Sequence, residues 1–539
     1  MDRRRVLWLG LAAVVTLVVF FLVGWPLAEL VGVAAEQLEF GLPDMGLISR
    51  VVSNTLAVGV SVSLLTVTLG MGAAFLTERT SVIGRKWLRL GLLLPLLIPS
   101  FVSAQSWIRA YGPSGLTDDT LGLSMPGLFG PVGVILVISV NVAPLAYLMM
   151  VAALNSRVGR DFELAGRISG AGPATVARTV TIPLLAPALL GAGALTFVVG
   201  INAFGVPAFL GTPASFDTVT TRIYQDLALS ARPESFSRAI LLATGLVIIA
   251  LLFVVIAEAL LSGVGEGRPT GGPAGPADRL GRPRRVLTFV VWVLIILVAV
   301  FPLIALILVA LTKGLGLPPT PGNLTFGNFR EALEPRLLGA LGRSLLLASV
   351  AATLAVLLGA AVAAFRRRRF GRFAGVAVLL SFAVPGSTLA VAMILSYGSL
   401  LRDTLVLILL AYLAKLWAVG HRSIAGSVGN IPRDLFLAAR NSGASGFTAL
   451  RTVIVPLLRP ALFGAWVLVF LIGFHELTMS SLLYGPGTDT LAVAILNLQQ
   501  LGDVPVSSAL AVILTVPLLL VAIPLLVLGR LPRRLLGTR

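Results

Sequence analysis

The sequence predicts an all-α polytopic membrane protein made of two fused six-helix modules. Three observations predict it. Apolar residues make up 57% of the 539-residue chain against 12% charged, about half the charge of an ordinary soluble chain. Apolar runs of spanning length recur from Leu7 to the C-terminus, each able to cross a hydrocarbon core of roughly 30 Å. One cytoplasmic-type loop sequence also occurs twice, at residues 160–192 and 433–465.

Twelve spans are expected, at 7–30, 51–76, 88–110, 129–152, 184–210, 239–262, 286–312, 343–365, 374–398, 404–420, 461–484 and 508–529. The first follows Met-Asp-Arg-Arg-Arg, like a signal peptide. Its apolar stretch is too long for one and lacks a small-residue cleavage site, so it reads as a retained span. An even number of spans puts both termini on one side. That side carries about 30 of the 41 Lys and Arg residues, including Arg3–Arg5, Arg284, Arg285 and Arg366–Arg369, so both termini are expected in the cytoplasm. The net charge of +18 then reads as basic flanks facing an anionic leaflet, not as a nucleic-acid surface. Lys415, inside the tenth span, is expected to snorkel toward the cytoplasm.

Between spans six and seven, residues 263–285 are rich in Gly, Pro and Arg. Such a segment cannot pack a core and reads as a flexible linker. The domain reading is therefore a first module at 1–262, the linker at 263–285 and a second module at 286–539.

The loop at 160–192 reads RDFELAGRISGAGPATVARTVTIPLLAPALLGA, and that at 433–465 reads RDLFLAARNSGASGFTALRTVIVPLLRPALFGA. A constant offset of 273 aligns Asp161 with Asp434, Ala165 with Ala438, Gly170 with Gly443, Ala171 with Ala444 and Pro183 with Pro456. Upstream, Pro99 and Pro385 each precede a Tyr-Gly pair by twelve residues, and Asn54–Phe75 resembles Ser344–Phe365. The repeat is parallel, because each half has six spans. Each loop starts as a short helix with an acidic first turn, which suits the helix dipole. Each then turns at its glycine and runs into the next span. A proline inside a span kinks it. Pro99 and Pro385 are read here as shaping packing.

These loops resemble the EAA motif of ATP-binding-cassette (ABC) importer permeases. The match is at Ala165, Gly170 and Pro183, and at Ala438, Ala439, Gly443 and Pro456. It departs at the acid: Leu164 and Leu437 hold the usual Glu position, Glu163 lies one residue earlier, and the second copy has only Asp434. The resemblance implies a type I ABC importer transmembrane fold in which each loop docks on an ATPase subunit. Asp161, Glu163, Ala165, Gly170, Ala171 and Pro183 are then the coupling residues of the first loop. Asp434, Ala438, Ala439, Gly443, Ala444 and Pro456 are those of the second. The partners implied are two copies of an ATPase and a periplasmic or lipid-anchored binding protein.

No Walker A loop is present: the three lysines, Lys86, Lys313 and Lys415, do not follow a glycine, as phosphate cradling requires. ATP and Mg2+ are thus expected on the partner, with no cofactor bound by this chain and no catalysis in it. The absence of Cys and the presence of only two His, His421 and His475, exclude a Cys/His metal centre and a disulfide framework.

The resemblance is nearest to the fused ferric-iron permeases. Asn202-Ala-Phe204-Gly-Val-Pro207 resembles their Asp-Phe-Gly-Val-Pro segment, and His475-Glu476-Leu-Thr478 resembles their Glu-Leu-Pro segment. This implies an inner-membrane iron importer, with Asn202, Phe204, Pro207, His475, Glu476 and Thr478 toward the outer translocation path. Polar groups within spans should face a partner or a water-filled path, and the residues alone leave open whether His475 and Glu476 simply pair with each other. Thiamine, phosphonate, polyamine and sulfate permeases are the alternatives within the class, and an ion-coupled secondary transporter and a scaffold or assembly protein that only recruits a partner are the alternatives outside it.

Overall fold

The computed structural model describes residues 3–39, 44–156, 160–262, 283–364 and 368–528; most of the expected linker, 263–282, lies outside them. In chain order the helices are α1 (Ala12–Glu39), α2 (Met45–Arg79), α3 (Arg85–Leu97), α4 (Ser100–Tyr111), α5 (Pro131–Ser156) and α6 (Arg160–Ile168). Then come α7 (Pro173–Ile201), α8 (Val219–Ala228), α9 (Pro233–Ser262), α10 (Arg285–Ala310), α11 (Pro335–Ala364) and α12 (Arg368–Ala383). The last are α13 (Gly386–Leu401), α14 (Leu405–Gly429), α15 (Arg433–Asn441), α16 (Gly446–Phe474), α17 (Leu491–Leu501) and α18 (Val504–Leu528). Among the described residues nine helices are long and apolar enough to cross a membrane, and two bent pairs could each count as one more span. Helix α18 stands where the twelfth span is expected.

The compact units do not follow chain order. One comprises 44–222, 252–333 and 497–539; the other comprises 1–43, 223–251 and 334–496. In the first, α2 packs on α5 and α7, and α10 runs beside α4 and α18. In the second, α11 packs on α14 and α16, and α1 runs beside α13. The two cores are built alike. Gly70 of α2 is so close to α5 that an added Cβ would lie 2.7 Å from the Tyr147 nitrogen, and Gly359 of α11 is so close to α14 that one would lie 2.5 Å from the His421 nitrogen. Small residues let apolar helices approach where no water exists to drive them together.

Buried caps sharpen the register of the repeat. Thr55 Oγ1 accepts from the Val219 amide at 2.8 Å in one unit, and Ser344 Oγ accepts from the Leu491 amide at 2.8 Å in the other. Beside them, Asn54 Nδ2 donates to the Asp217 carbonyl and Arg343 Nε to that of Asp489. Thr55 therefore corresponds to Ser344, one residue away from the Asn54–Ser344 match suggested by the pattern.

Pro99 and Pro385 do more than shape packing. Each ends one helix and begins another: α3 meets α4 at 102° and α12 meets α13 at 105°. Both prolines are extended, with ψ of 136° and 147°. Proline supplies no N–H and disfavours helix in the residue before it. At the second break Lys415 of α14 replaces the missing donors. Its Nζ bonds the carbonyls of Phe382, at 3.3 Å, and Val384. Lys415 thus caps the end of α12 and does not snorkel.

The repeated spacing of each Tyr-Gly pair from its proline places a tyrosine at the other end of α4 and α13. Tyr111 OH donates to the Leu297 carbonyl at 2.6 Å, and Trp107 Nε1 to that of Val298 at 3.2 Å. In the other unit Tyr397 OH donates to the Phe21 carbonyl at 2.6 Å. All three acceptors lie in π-helical turns, Ile296–Val300 and Phe20–Gly24. A proline follows each turn, Pro302 and Pro26. The missing proline N–H frees a carbonyl one turn back, and a side-chain donor from the adjacent helix takes it.

Candidate functional site

The repeated loops share their fold down to single hydrogen bonds. Helix α6 ends at Gly170, with φ of +86°, and α15 ends at Gly443, with φ of +85°. In the first, the Gly170 amide bonds the Arg167 carbonyl at 3.0 Å and that of Ala171 bonds Gly166 at 3.1 Å. In the second, Gly443 bonds Arg440 and Ala444 bonds Ala439, both at 3.1 Å. This is the Schellman arrangement, which needs a left-handed residue and so favours glycine. Each loop then enters its span through a π-helical turn, Ala177–Thr181 and Leu450–Ile454.

Each loop exposes large apolar side chains among its polar ones. Phe162, Leu164 and Ile168 are exposed in the first, and Leu435, Leu437 and Phe447 in the second. Asp161, Ala165, Gly170 and Pro183 are also exposed, as are Asp434, Ala438 and Gly443. Ala171, Ala439, Ala444 and Pro456 are half-buried. Glu163 is different: it is buried and faces inward. Arg79 Nε, from the end of α2, donates to its Oε1 at 3.2 Å, and Thr181 Oγ1 donates to the same oxygen at 3.1 Å. Arg79 Nη2 also reaches the Leu154 carbonyl of α5 at 3.3 Å. The first loop is thereby tied to two spans. The second has Phe436 at the aligned position.

The outer segments are placed at the C-terminal ends of α7 and α16. Asn202 closes α7, its amide bonded to the Val198 carbonyl at 3.1 Å, while its Oδ1 is buried without a partner. Phe204 is buried and Pro207 opens the π-helical turn Pro207–Gly211. Phe209 of that turn packs on Phe101 of α4, with ring centres 6.3 Å apart. In the other unit His475 closes α16, and its Nδ1 is buried without a hydrogen bond of good geometry. Glu476 does not pair with it. The Glu476 carboxylate accepts from the amides of Met479 at 2.9 Å and Ser480 at 3.1 Å, capping the turn Ser480–Leu483 as an N-terminal acid does. Thr478 contributes its carbonyl to Ser481 Oγ at 3.1 Å. Among the described residues no three His, Cys, Asp or Glu side chains converge as a metal site.

Sequence reasoning missed one buried polar cluster. Arg109 of α4 is 3% exposed, and its Nη2 donates to Gln499 Oε1 at 3.2 Å. Gln105, one turn earlier and fully buried, donates to Ser507 Oγ at 3.0 Å. Arg109 Nε and Gln105 Oε1 are left without partners. The signal was present, since Arg109 lies inside the third expected span, where an ionisable residue is costly. Arg109→Gln removes a buried charge that no described carboxylate neutralises, so it is expected to hold or raise the thermal midpoint of the purified chain. A lower midpoint would show that the guanidinium contributes to stability.

Comparison with known proteins agrees with this architecture. A family profile described as binding-protein-dependent transport system inner membrane component matches the chain twice, at residues 66–266 and 355–535. The Fe(3+)-transport system permease protein FbpB 2 of Haemophilus influenzae is 26% identical over 511 residues, covering 92% of this chain and 93% of that protein. The ferric transport system permease protein FbpB of Actinobacillus pleuropneumoniae is 25% identical, covering 94% of this chain and 76% of that protein. A putative 2-aminoethylphosphonate transport system permease protein, PhnV of Salmonella typhimurium, is 29% identical over 220 residues, covering 40% of this chain and 80% of its own. Two matches that together take in most of the chain, on a scaffold of apolar spans, show that this multi-pass protein belongs to the binding-protein-dependent transport system inner membrane component family.

Proposed function

We propose that the chain is the permease of an ABC importer that passes ferric iron, delivered by a periplasmic or lipid-anchored binding protein, across the inner membrane. The observation that carries the importer reading is the pair of loops at 160–192 and 433–465, alike in turn geometry and in their exposed apolar faces. A mere connector has no reason to repeat a Schellman turn and a π-helical turn at the same spacing. The charge rule assigns both loops and both termini to the cytoplasm. Two docking surfaces then serve two ATPase copies, which bind and hydrolyse ATP with Mg2+, while this chain binds no cofactor. The two modules, 1–262 and 286–539, are the units of the repeat. Iron is favoured over thiamine, phosphonate, polyamine or sulfate by the names of the two full-length relatives above. Asn202, Phe204, Pro207, His475, Glu476 and Thr478 are assigned to the outer part of the path.

The two broken spans favour one other reading, because ion-coupled secondary transporters also use broken helices. Uptake of iron into vesicles holding the permease, its ATPase and its binding protein separates the two: it should require ATP, and uptake driven by a proton or sodium gradient alone would sink the importer reading. Coupling is tested at the turns. A Cβ on Gly170 or Gly443 meets nothing within 4 Å, so replacement strains only the left-handed backbone, by roughly 1–2 kcal/mol. The double variant Gly170→Val/Gly443→Val should insert normally yet lose transport and ATPase association. Transport at the parental rate would argue against coupling at these loops.

A further inference from the structure

The geometry points to a bound anionic phospholipid between α2, α3, α5 and α10, within the unit that contains residues 44–222. A cavity of about 440 Å³ lies there, lined by Gly72 and Leu76 of α2, Gly91 of α3, Pro144 of α5, and Val291 and Leu294 of α10. It opens to the lipid-facing surface, where Leu69 and Leu294 of its lining are exposed. Its few polar groups are already satisfied. Thr68 Oγ1 bonds the Leu64 carbonyl at 2.7 Å, and Tyr147 OH bonds Thr77 Oγ1 at 3.1 Å. A groove with no free polar group, facing hydrocarbon, takes an acyl chain and not a hydrated solute.

The charge at one end of the groove selects the headgroup. Glu78 stands two residues past Leu76, Arg89 two residues before Gly91, and Arg285 two residues before the lining residue Leu287. Glu78 is 3% exposed and its two oxygens are taken by Arg85, at 2.9 Å, and Arg89. Two guanidiniums therefore share one carboxylate, and both remain partly exposed, at 36% and 29%. Lys86 adds a further cation, 6.0 Å from the exposed Trp87 ring, and Arg285 is exposed as well. A surplus of positive charge beside the end of an apolar groove between spans is complementary to an anionic phospholipid headgroup. Trp87 on the same helix end is the residue type that sits at headgroup level.

The test uses the full chain, purified in detergent, exposed to an equal mixture of phosphatidylglycerol and phosphatidylcholine, and read by native mass spectrometry. The parent should retain phosphatidylglycerol in preference, one molecule per chain. Gly72→Phe fills the groove from a position where an added Cβ meets nothing within 4 Å, and should lose the retained lipid of either kind. Lys86→Gln and Arg285→Gln should keep a lipid but reduce the preference for phosphatidylglycerol, by about fivefold for each cation removed. If Gly72→Phe fails to fold, Ala143→Leu, at another lining position, gives the same readout. Equal retention of both lipids by the parent, or undiminished retention by a folded groove-filled variant, overturns the proposal. Either result leaves the importer reading untouched, because ATP-dependent uptake is measured separately.

Discussion

Glu163→Ala is expected to abolish uptake. The substitution takes from buried Arg79, at 8% side-chain exposure, the Glu163 carboxylate it is bonded to. Breaking a buried pair by removing one partner costs about 3–5 kcal/mol. The carboxylate also holds Thr181, at the turn where the first loop enters α7. Its loss should let α6 shift against α2 and α5, so that transport falls even where the spans still assemble. Glu163→Gln can keep an oxygen for Thr181 while losing the charge, and should fall between the parent and Glu163→Ala. At the aligned position of the second loop, Phe436→Ala touches no such pair and should cost little. The measurements are ATP-dependent uptake in vesicles and the thermal midpoint in detergent. Parental uptake with Glu163→Ala would mean that the loop keeps its place without the ion pair.

The contrast between Glu163 and Gly170 shows where the sequence was legible. Gly170 and Gly443 stand out because a left-handed turn closing a helix needs glycine locally, and local requirements are written in adjacent residues. Spans are legible for a similar reason: hydrocarbon demands about 20 apolar residues in a row. The inward direction of Glu163 depends on Arg79, which is 84 residues earlier, and no pattern within the loop announces it. The right-angle breaks at Pro99 and Pro385 are not legible as such, because a proline alone does not say how far a helix turns. That depends on whether freed carbonyls find donors, as Phe382 and Val384 find Lys415. Register at Asn54 slipped by one residue because an apolar helical run matches a shifted copy of itself nearly as well. Chain order also gave no hint that α1 packs in the unit built from α11, α14 and α16.

The helix crossings give the second large effect. Gly359→Val should prevent α11 from packing on α14. The added Cβ would lie 2.5 Å from the His421 nitrogen and 2.9 Å from the Gly420 carbonyl carbon. Those are backbone atoms of a packed helix, so no side chain can swing away to make room. The approach is tight from the other side too, since a Cβ on Gly420 would lie 2.9 Å from the Ala355 oxygen. The helices must separate, and overpacking of this kind costs on the order of 3 kcal/mol. The loss extends beyond the contact itself, because Trp417 and Tyr412 of α14 are among the largest fully buried side chains. Even Gly359→Ala should lower the thermal midpoint, and Gly70→Ala should do the same in the other unit, where the clash is with the Tyr147 nitrogen at 2.7 Å. Gly464→Ala in α16 is the matched control, because a Cβ there meets nothing within 4 Å. If Gly359→Ala and Gly464→Ala unfold at the same temperature, close approach of the two helices is not what holds this core together.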